Sequence, residues 1–469
     1  MSGYVRAFKR ATKQAMVPMA RLVVGDAHDL PIELWGMRLG SDGRLLYAGQ
    51  DIIALAERYG TPLHLLDVAR LDANLAAFLA PPENGRPAVE VYYSFKTQPL
   101  PWIIKRLIGR GAGAEVISEY ELRLALHLGI PAEKIIYNGP GKSDASIRVA
   151  IEAGILLFNL NHLEEVDRVA GIARSLGRRL RVGVRITTSS GWSSQFGCSV
   201  ASGEAMAAFE RALATPELDV IGLHSHRGRH IHHAAELAGF ASEVLAFAAE
   251  LRGRLAFEPK ILDFGGSLGI TTVRALTPVD LRLVETLHTP VAPADPKASL
   301  SVADYARKLT EIVHAHYQGQ GTAVPRLAVE PGRALTGNAQ ALIARVITTR
   351  TSPEGLAYAV LDAGVNIAGI LRSQLSQIYR VTDYGSPRDT LYRLVGPICQ
   401  PGDVIYPCVR LPHLSPGDTL MIMDSGAYFE PDSTSFSFQR PGTVAIEGDH
   451  VHVVRRAESF QDMIHRDIY

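Results

Sequence analysis

Between residues 51 and 330, short strand-like runs alternate with helix-like segments, and this alternation constrains the fold more than any other feature of the sequence. The helix-like segments, such as 118–130 and 162–177, place apolar residues three and four positions apart. The strand-like runs lie at 61–67, 89–95, 134–140, 154–160, 179–186, 219–226, 260–266 and 326–332. About eight such units predict an α/β fold with a (β/α)8 TIM-like barrel rather than an open sheet.

The pattern changes near residue 336, where strand-like runs follow one another with turns between them and little helical periodicity. This predicts a mostly antiparallel C-terminal β domain over 336–469, after a barrel region over 51–335. Residues 1–50 form an N-terminal segment whose hairpin-like part, 34–49, is expected to join the β domain, since "SDG" between strands is a turn signal. The proline-rich stretch 271–300 is predicted to be a long excursion at one face of the barrel.

Composition excludes several classes of function. Lys plus Arg and Asp plus Glu both number 48, so no basic excess indicates nucleic-acid binding. No apolar run approaches the length that a membrane helix needs. The three cysteines, Cys198, Cys399 and Cys408, are too scattered for a disulfide framework and indicate a reducing, cytoplasmic compartment. Residues 1–25 are basic, without an acid, and predict a loosely ordered or partner-contacting N-terminus.

Several polar residues follow predicted strands, where a βα barrel builds its active site. Lys96 ends one strand, His224 and His226 end another, and Glu330 ends the last, with Arg333 just beyond it. The segment "DFGGSLG" (263–269) supplies glycines that let backbone N–H groups approach a phosphate. Together these residues suit a phosphorylated aldehyde cofactor held as a Schiff base, with the carboxylate facing a pyridinium nitrogen.

Each of these features has an ordinary structural explanation when taken alone. A lysine at a strand end usually snorkels or forms an ion pair, and glycine-rich turns are common in α/β proteins. The histidine-rich run 224–233 suggests a metal site, but no matching carboxylate or cysteine set is evident in the sequence, so no metal is predicted. Cys399 differs from the other two cysteines because its segment "GPICQPGD" is turn-rich and displays a reactive side chain.

The motifs occur together and in one order, and the chain from about 43 to 455 resembles the fold-type III pyridoxal-phosphate (PLP) decarboxylases with an alanine-racemase-like barrel. Within that group it is most similar to diaminopimelate decarboxylase, with ornithine and arginine decarboxylases as relatives. The segments that carry the resemblance are "YSFK" (93–96), "LHSHRG" (223–228), "DFGGSLG" (263–269), "EPGR" (330–333), "GPICQPGD" (396–403) and "DSGAY" (424–428).

The resemblance implies a role for each motif residue. Lys96 would carry the cofactor, and His226 would stack on its ring. Gly265, Gly266 and Ser267 would form the phosphate loop, with Glu330 at the pyridine nitrogen and Arg333 and Tyr428 near the phosphate. The implied reaction is decarboxylation of an amino acid through a Schiff base and a quinonoid.

The same resemblance implies a homodimer. Cys399 would reach the active site of the partner subunit and reprotonate the former α-carbon, with the freed Lys96 as its competitor. Asp403 belongs to the same motif, and the resemblance implies that it takes part in substrate binding.

Three departures concern the substrate. Gln400 stands where diaminopimelate decarboxylases have a glutamate that meets the distal amino group. Arg372 is the candidate for gripping a distal carboxylate, and Arg229 replaces a small serine near the phosphate. Diaminopimelate, ornithine and lysine remain the candidates that the resemblance supplies, but these changes favour a divergent decarboxylase of another amino acid, such as one of specialised metabolism, either free or tethered to a carrier. The alternatives are a racemase or elimination enzyme of the same fold, a non-catalytic homologue that binds cofactor or partners, and a metal-dependent barrel hydrolase.

Overall fold

The computed structural model describes residues 3–80, 89–191, 195–228, 230–353 and 355–468. The chain divides into two compact units. One unit comprises Asp72–Gly269 and Lys297–Leu335, and the other comprises Met1–Leu71, Ile270–Pro296 and Thr336–Tyr469. Within the described ranges, no helix is both long enough and apolar enough to cross a membrane.

The first unit is a closed barrel of eight parallel strands. The strands are β1 (Glu90–Ser94), β2 (Gly113–Val116), β3 (Ile135–Tyr137), β4 (Leu157–Leu160), β5 (Leu180–Thr187), β6 (Leu218–Ser225), β7 (Ile261–Asp263) and β8 (Arg326–Val329). Strand β8 pairs with β1, and pairing of β4 with β5 closes the ring. The (β/α)8 barrel predicted from the alternation is therefore confirmed.

Helices follow the barrel strands, and serine caps begin several of them. Ser118 and Ser143 each accept a hydrogen bond from the backbone N–H three residues later, which satisfies a donor that the first helical turn leaves free. The longer helices of this unit are Pro101–Gly109, Glu119–His127, Asp144–Ala153, Glu165–Ser175, Glu204–Leu213, Ala234–Leu255 and Val302–Gln318, and most of helix Val68–Leu79 also belongs to it. The predicted helices at 118–130 and 162–177 are therefore present, with slightly shorter bounds.

One predicted barrel strand was wrong. Leu63–Asp67 pairs with Gln340–Thr351 and Gly442–Glu447 in the other unit, so it is not a barrel strand. The barrel instead contains β2, which the sequence analysis missed because "GAEV" is short and contains glycine and alanine.

The second unit is built around a mostly antiparallel sheet, as predicted. Its strands are Leu63–Asp67, Gln340–Thr351, Ala357–Leu361, Ile378–Arg380, Thr390–Val395, Val404–Leu411, Thr419–Ile422, Gly442–Glu447 and His450–Arg455. Two pairings are parallel: Ala357–Leu361 with Thr390–Val395, and Leu63–Asp67 with Gly442–Glu447. The predicted hairpin forms a small separate sheet, Arg38–Leu39, Leu45–Tyr47 and Gln50–Asp51, and packs on the core of this unit through Leu45 and Tyr47.

Two further segments differ from expectation. The stretch predicted as an excursion at the barrel face belongs to the β unit, where helix Pro278–Leu287 contributes Val284 to an apolar cluster with Val24, Val291 and Cys408. The N-terminal segment forms a helix, Gly3–Val24. The shorter helices of this unit are Ile52–Tyr59, Val365–Ala368 and Phe460–Ile464.

Candidate active site

Lys96 lies just beyond β1, in the short 3-10 turn Phe95–Thr97, and its side chain is 33% exposed. Its Nζ donates to Ser94 Oγ at 2.8 Å and to Glu115 Oε2 at 2.9 Å. Glu115 lies in β2, one residue before its end, and is buried. The lysine at the barrel rim is thus paired with a buried acid. This ion pair explains how a charged residue can directly follow an apolar strand.

Glu115 belongs to a hydrogen-bonded network of buried side chains. Asn138 Nδ2 donates to Glu115 Oε1 at 3.0 Å and to Glu330 Oε1 at 2.6 Å, while Asn159 Nδ2 donates to Asn138 Oδ1 at 2.8 Å. Burial by itself raises the pKa of Glu115, but the Lys96 ammonium and hydrogen bonds from Ser94, Lys96 and Asn138 outweigh it and lower that pKa. Glu115 is therefore an anion at neutral pH.

Glu330 and Asp263 are two buried acids that share one environment at the ends of β8 and β7. Burial raises the pKa of Asp263 to about 6. Burial, and then the charges of Asp263 and Glu115, raise the pKa of Glu330 well above its usual range. The pair consequently holds a proton near neutral pH, and a cation placed beside it would favour release of that proton.

His224 and His226 end β6 and both are neutral at physiological pH. Burial, followed by the charge of Arg185, lowers both pKa values well below 6.5. His224 Nε2 lies 3.7 Å from Glu330 Oε2, and ligand atoms of His224, Asp263 and Glu330 lie within 4.8 Å of one another. The sequence analysis found no acids to accompany these histidines because both acids are distant in the sequence.

The glycine-rich segment after β7 packs closely against His226. Gly265 has φ +62°, and a Cβ there would lie 2.6 Å from His226 Cδ2. A Cβ on Gly266 would lie 2.7 Å from the carbonyl oxygen of Glu330. Ser267 has φ +76°, and its hydroxyl accepts a hydrogen bond from Gly228 N–H at 3.3 Å. Only glycine fits at 265, because it needs both the left-handed conformation and the missing side chain.

Arg333 opens the short helix Arg333–Thr336 after β8. Burial and then the charge of Arg333 lower the pKa of His230 to about 4, which places this arginine near the segment that follows His226. Gly332 approaches the turn that holds Lys96, since a methyl group at 332 would overlap the Thr97 side chain. Arg229 lies outside the described residues.

The other predicted site residues belong to the β unit. Cys399 and Gln400 are exposed in the turn after Thr390–Val395, and Arg372 is exposed at the end of the 3-10 turn Gly369–Arg372. Tyr428 is partly buried and has φ +68°, a conformation that non-glycine residues rarely adopt.

Asp403 occupies a different kind of place. It is 2% exposed, and its carboxylate accepts hydrogen bonds from Val365 N–H at 2.7 Å and Ile398 N–H at 2.8 Å. Because Ile398 immediately precedes Cys399, this carboxylate joins the cysteine turn to the turn at Gly364.

Sequence reasoning missed Glu115, Asn138 and Arg185. Asn138 directly follows β3, so the rule that singled out the other strand ends could have found it. Glu115 was missed together with its strand. Arg185 lies within β5, and its guanidinium carbon is 4.7 Å from the centre of the Phe196 ring. Burial lowers the pKa of Arg185, and the negative charges of Glu330, Glu115 and Asp263 raise it in part.

The barrel site fits a phosphorylated pyridoxal cofactor on three observations. Lys96 offers an amine at the rim, held by a hydrogen bond to the carboxylate of Glu115. Gly265 and Gly266 leave a cradle that side chains would fill, where backbone N–H groups suit a phosphate. Burial raises the pKa values of the acids Asp263 and Glu330, and such a pair would be stabilised by the protonated pyridine nitrogen of the cofactor.

Comparison with known proteins also indicates a pyridoxal-phosphate cofactor. The profile of the family described as "Pyridoxal-dependent decarboxylase, pyridoxal binding domain" matches residues 80–337. The diaminopimelate decarboxylase of Bacillus subtilis is 26% identical over 92% of this chain and 97% of its own length. That of Mycobacterium leprae is 29% identical over 97% of both. The crystal structure of the M. jannaschii diaminopimelate decarboxylase with L-lysine superposes with a TM-score of 0.80 at 26% identity, covering 92% of this chain and 98% of that one.

Proposed function

Because this chain belongs to the pyridoxal-dependent decarboxylase family and is a PLP-dependent amino acid decarboxylase, we propose that Lys96 holds the cofactor and that the substrate is an amino acid other than diaminopimelate. The observation that carries the assignment of Lys96 is its ion pair with buried Glu115 at the rim of the barrel. The similarity to diaminopimelate decarboxylases along almost the whole chain supports α-decarboxylation over racemisation or elimination.

When bound, PLP supplies an electron sink for the pair of electrons that CO2 leaves behind on the α-carbon. Glu330, as a carboxylate, would stabilise a proton on the ring nitrogen, with Asp263 sharing the charge. Neutral His226 would fix the plane of the ring by stacking, since Gly265 lets its imidazole lie against the backbone. Glu115 would hold the Lys96 amine at the rim and balance its positive charge, because the two groups are already hydrogen-bonded.

The phosphate is assigned to the segment around Gly265, Gly266 and Ser267, with Arg333 and Tyr428. Backbone N–H groups and a guanidinium are suitable partners for a dianion. The positive φ of Ser267 and of Tyr428 supports this assignment, because strained backbone concentrates at binding sites.

We assign the protonation step to Cys399 of the partner subunit in a homodimer, with Lys96 as the competing donor. The exposure of Cys399 in its turn supports delivery to another subunit. Asp403 would act through this turn, because its buried carboxylate binds Ile398 N–H and is not directed at a substrate. The three free thiols suit a reducing compartment, and we place the enzyme in the cytoplasm as part of this proposal.

Gln400 and Arg372 are proposed to select the substrate. A neutral amide at 400 cannot form a charge-assisted bond with a distal ammonium group, whereas the exposed Arg372 suits a distal carboxylate or another anionic group. A substrate attached to a phosphate-bearing carrier would also present an anionic group to Arg372, and Arg229 is proposed as a second cation for that group.

The test is CO2 release from a panel of free L- and D-amino acids, including diaminopimelate, lysine, ornithine and arginine. The proposal predicts CO2 and a primary amine from at least one amino acid and little turnover of diaminopimelate. The variant Gln400→Glu should shift preference toward substrates with a distal amine. Efficient turnover of diaminopimelate by the wild-type protein would refute the substrate assignment, and a racemised product without CO2 would refute the activity.

A further inference from the structure

The N-terminal helix Gly3–Val24 is anchored at its C-terminal end. Ala20 and Val24 are buried, and Val24 packs in an apolar cluster with Val284, Val291 and Cys408. Arg274 Nη1 also donates to the Val24 carbonyl oxygen at 3.0 Å. These contacts fix the end of the helix on the β unit.

Another face of the same turns is apolar and exposed. Met16, Met19, Leu22 and Val23 have 49%, 71%, 87% and 58% of their surface exposed. Positions 16, 19 and 23 lie on one helical stripe, because they are three and four residues apart. A group of large apolar residues exposed side by side marks a surface that binds another protein or a membrane.

All charged residues of this helix are basic. Its sequence contains no acid and five basic residues, Arg6, Lys9, Arg10, Lys13 and Arg21. The whole chain, in contrast, is balanced, with 48 basic and 48 acidic residues. The excess of positive charge is therefore a local property of this helix, and its partner is expected to be negatively charged.

We propose that helix Gly3–Val24 docks the enzyme on a lipid surface with anionic headgroups. A helix with an apolar stripe, a cationic polar face and little net hydrophobicity lies in the plane of the headgroups and does not cross the bilayer. Clusters of four to eight Lys and Arg on such a helix bind anionic lipid. Anchoring through Ala20 and Val24 leaves Met16, Met19, Leu22 and Val23 available for insertion.

The experiment is co-sedimentation of the full-length holoenzyme with vesicles of pure phosphatidylcholine and with vesicles containing an equal amount of phosphatidylglycerol. We expect binding to the anionic vesicles that weakens as salt is added. The pair Arg10→Gln and Lys13→Gln should together weaken binding by about thirtyfold, since each cation near the surface contributes about 1 kcal/mol. Met19→Glu should abolish insertion, whereas Phe460→Glu, at a 65% exposed residue of helix Phe460–Ile464, should bind as wild type.

Equal binding to neutral and anionic vesicles, or none to either, would overturn the proposal. A different result at sedimentation equilibrium would also overturn it. If Met19→Glu dissociates an oligomer and the wild-type protein does not bind vesicles, the stripe is an interface between copies of this chain. Retained binding in Met19→Glu would likewise rule out this helix. Decarboxylation in solution should be unchanged by Met19→Glu, so the outcome does not depend on the assignment of the active site.

Discussion

The Nζ of Lys96 and the Oε2 of Glu115 lie 2.9 Å apart, and Ser94 Oγ bonds to the same carboxylate oxygen at 2.5 Å. A buried anion thus lies within hydrogen-bonding reach of the proposed reactive amine. This ion pair fixes the position of the amine at the barrel rim.

Replacing Glu115 by glutamine tests this pairing. The amide keeps the shape but does not balance the charge of the ammonium and holds the amine in place less firmly, so kcat should fall by about 100-fold or more. Steady-state CO2 release measures the effect. Glu119→Gln is the matched control, because Glu119 pairs with Arg123 on the helix surface and should retain wild-type kcat. An unchanged kcat in Glu115→Gln would remove Glu115 from the mechanism.

Glu330→Gln should separate activity from stability. The raised pKa means that the unfolded chain ionises this group first, so its contribution to the free energy of unfolding falls as pH rises above about 4.5. In cofactor-free protein the glutamine should therefore leave thermal stability at pH 8 equal or higher, although kcat drops by at least about 100-fold. Thermal unfolding of apo protein at pH 5 and pH 8 tests the sign. A variant that is less stable at pH 8 would contradict it.

Gly265→Ala should weaken cofactor binding. The new Cβ would press on the His226 ring at 2.6 Å and would be held at φ +62°, a strain of about 1–3 kcal/mol. We expect the Kd of PLP, measured by quenching of intrinsic fluorescence, to rise about tenfold or more. Gly239→Ala, on helix Ala234–Leu255 with no atom within 4 Å of the new Cβ, should bind PLP normally. Equal affinities in the two variants would show that the segment does not form the cradle.

Asp403→Ala should disturb the turn that carries Cys399. The buried N–H of Ile398 would lose its acceptor at a cost of about 1–3 kcal/mol, and the partly buried N–H of Val365 would lose its acceptor as well. The free energy of unfolding should fall, and CO2 release should slow toward the level of Cys399→Ala. Asp449→Ala, at an exposed position, is the control. Full activity in Asp403→Ala would show that the turn does not position a reacting group.

The periodicity of the sequence was sufficient to predict the barrel, because buried parallel strands and amphipathic helices each have a recognisable pattern. It could not distinguish Leu63–Asp67 from a barrel strand, since five buried residues look the same in either sheet. Pairing partners are chosen by tertiary contacts, here with Gln340–Thr351 and Gly442–Glu447.

The same limit applies to the site. Lys96, His226 and Glu330 were predicted because each ends a recognisable strand, and the structure places them in one barrel. Glu115 and Asn138 act through hydrogen bonds to residues far away in the sequence, such as the bond from Asn138 to Glu330, which no local pattern encodes. Asp403 was predicted to meet a substrate, but whether a carboxylate is exposed or taken up by backbone N–H groups depends on how two turns approach each other.

The most direct test of the central claim is borohydride reduction of the holoenzyme followed by peptide mass spectrometry. Reduction fixes a lysine-bound aldehyde as a stable secondary amine. A pyridoxyl-phosphate mass on the peptide that contains Lys96 is the predicted result. The mass on a different lysine, such as Lys142 with its buried partner Glu165, or on no lysine at all, would contradict the account.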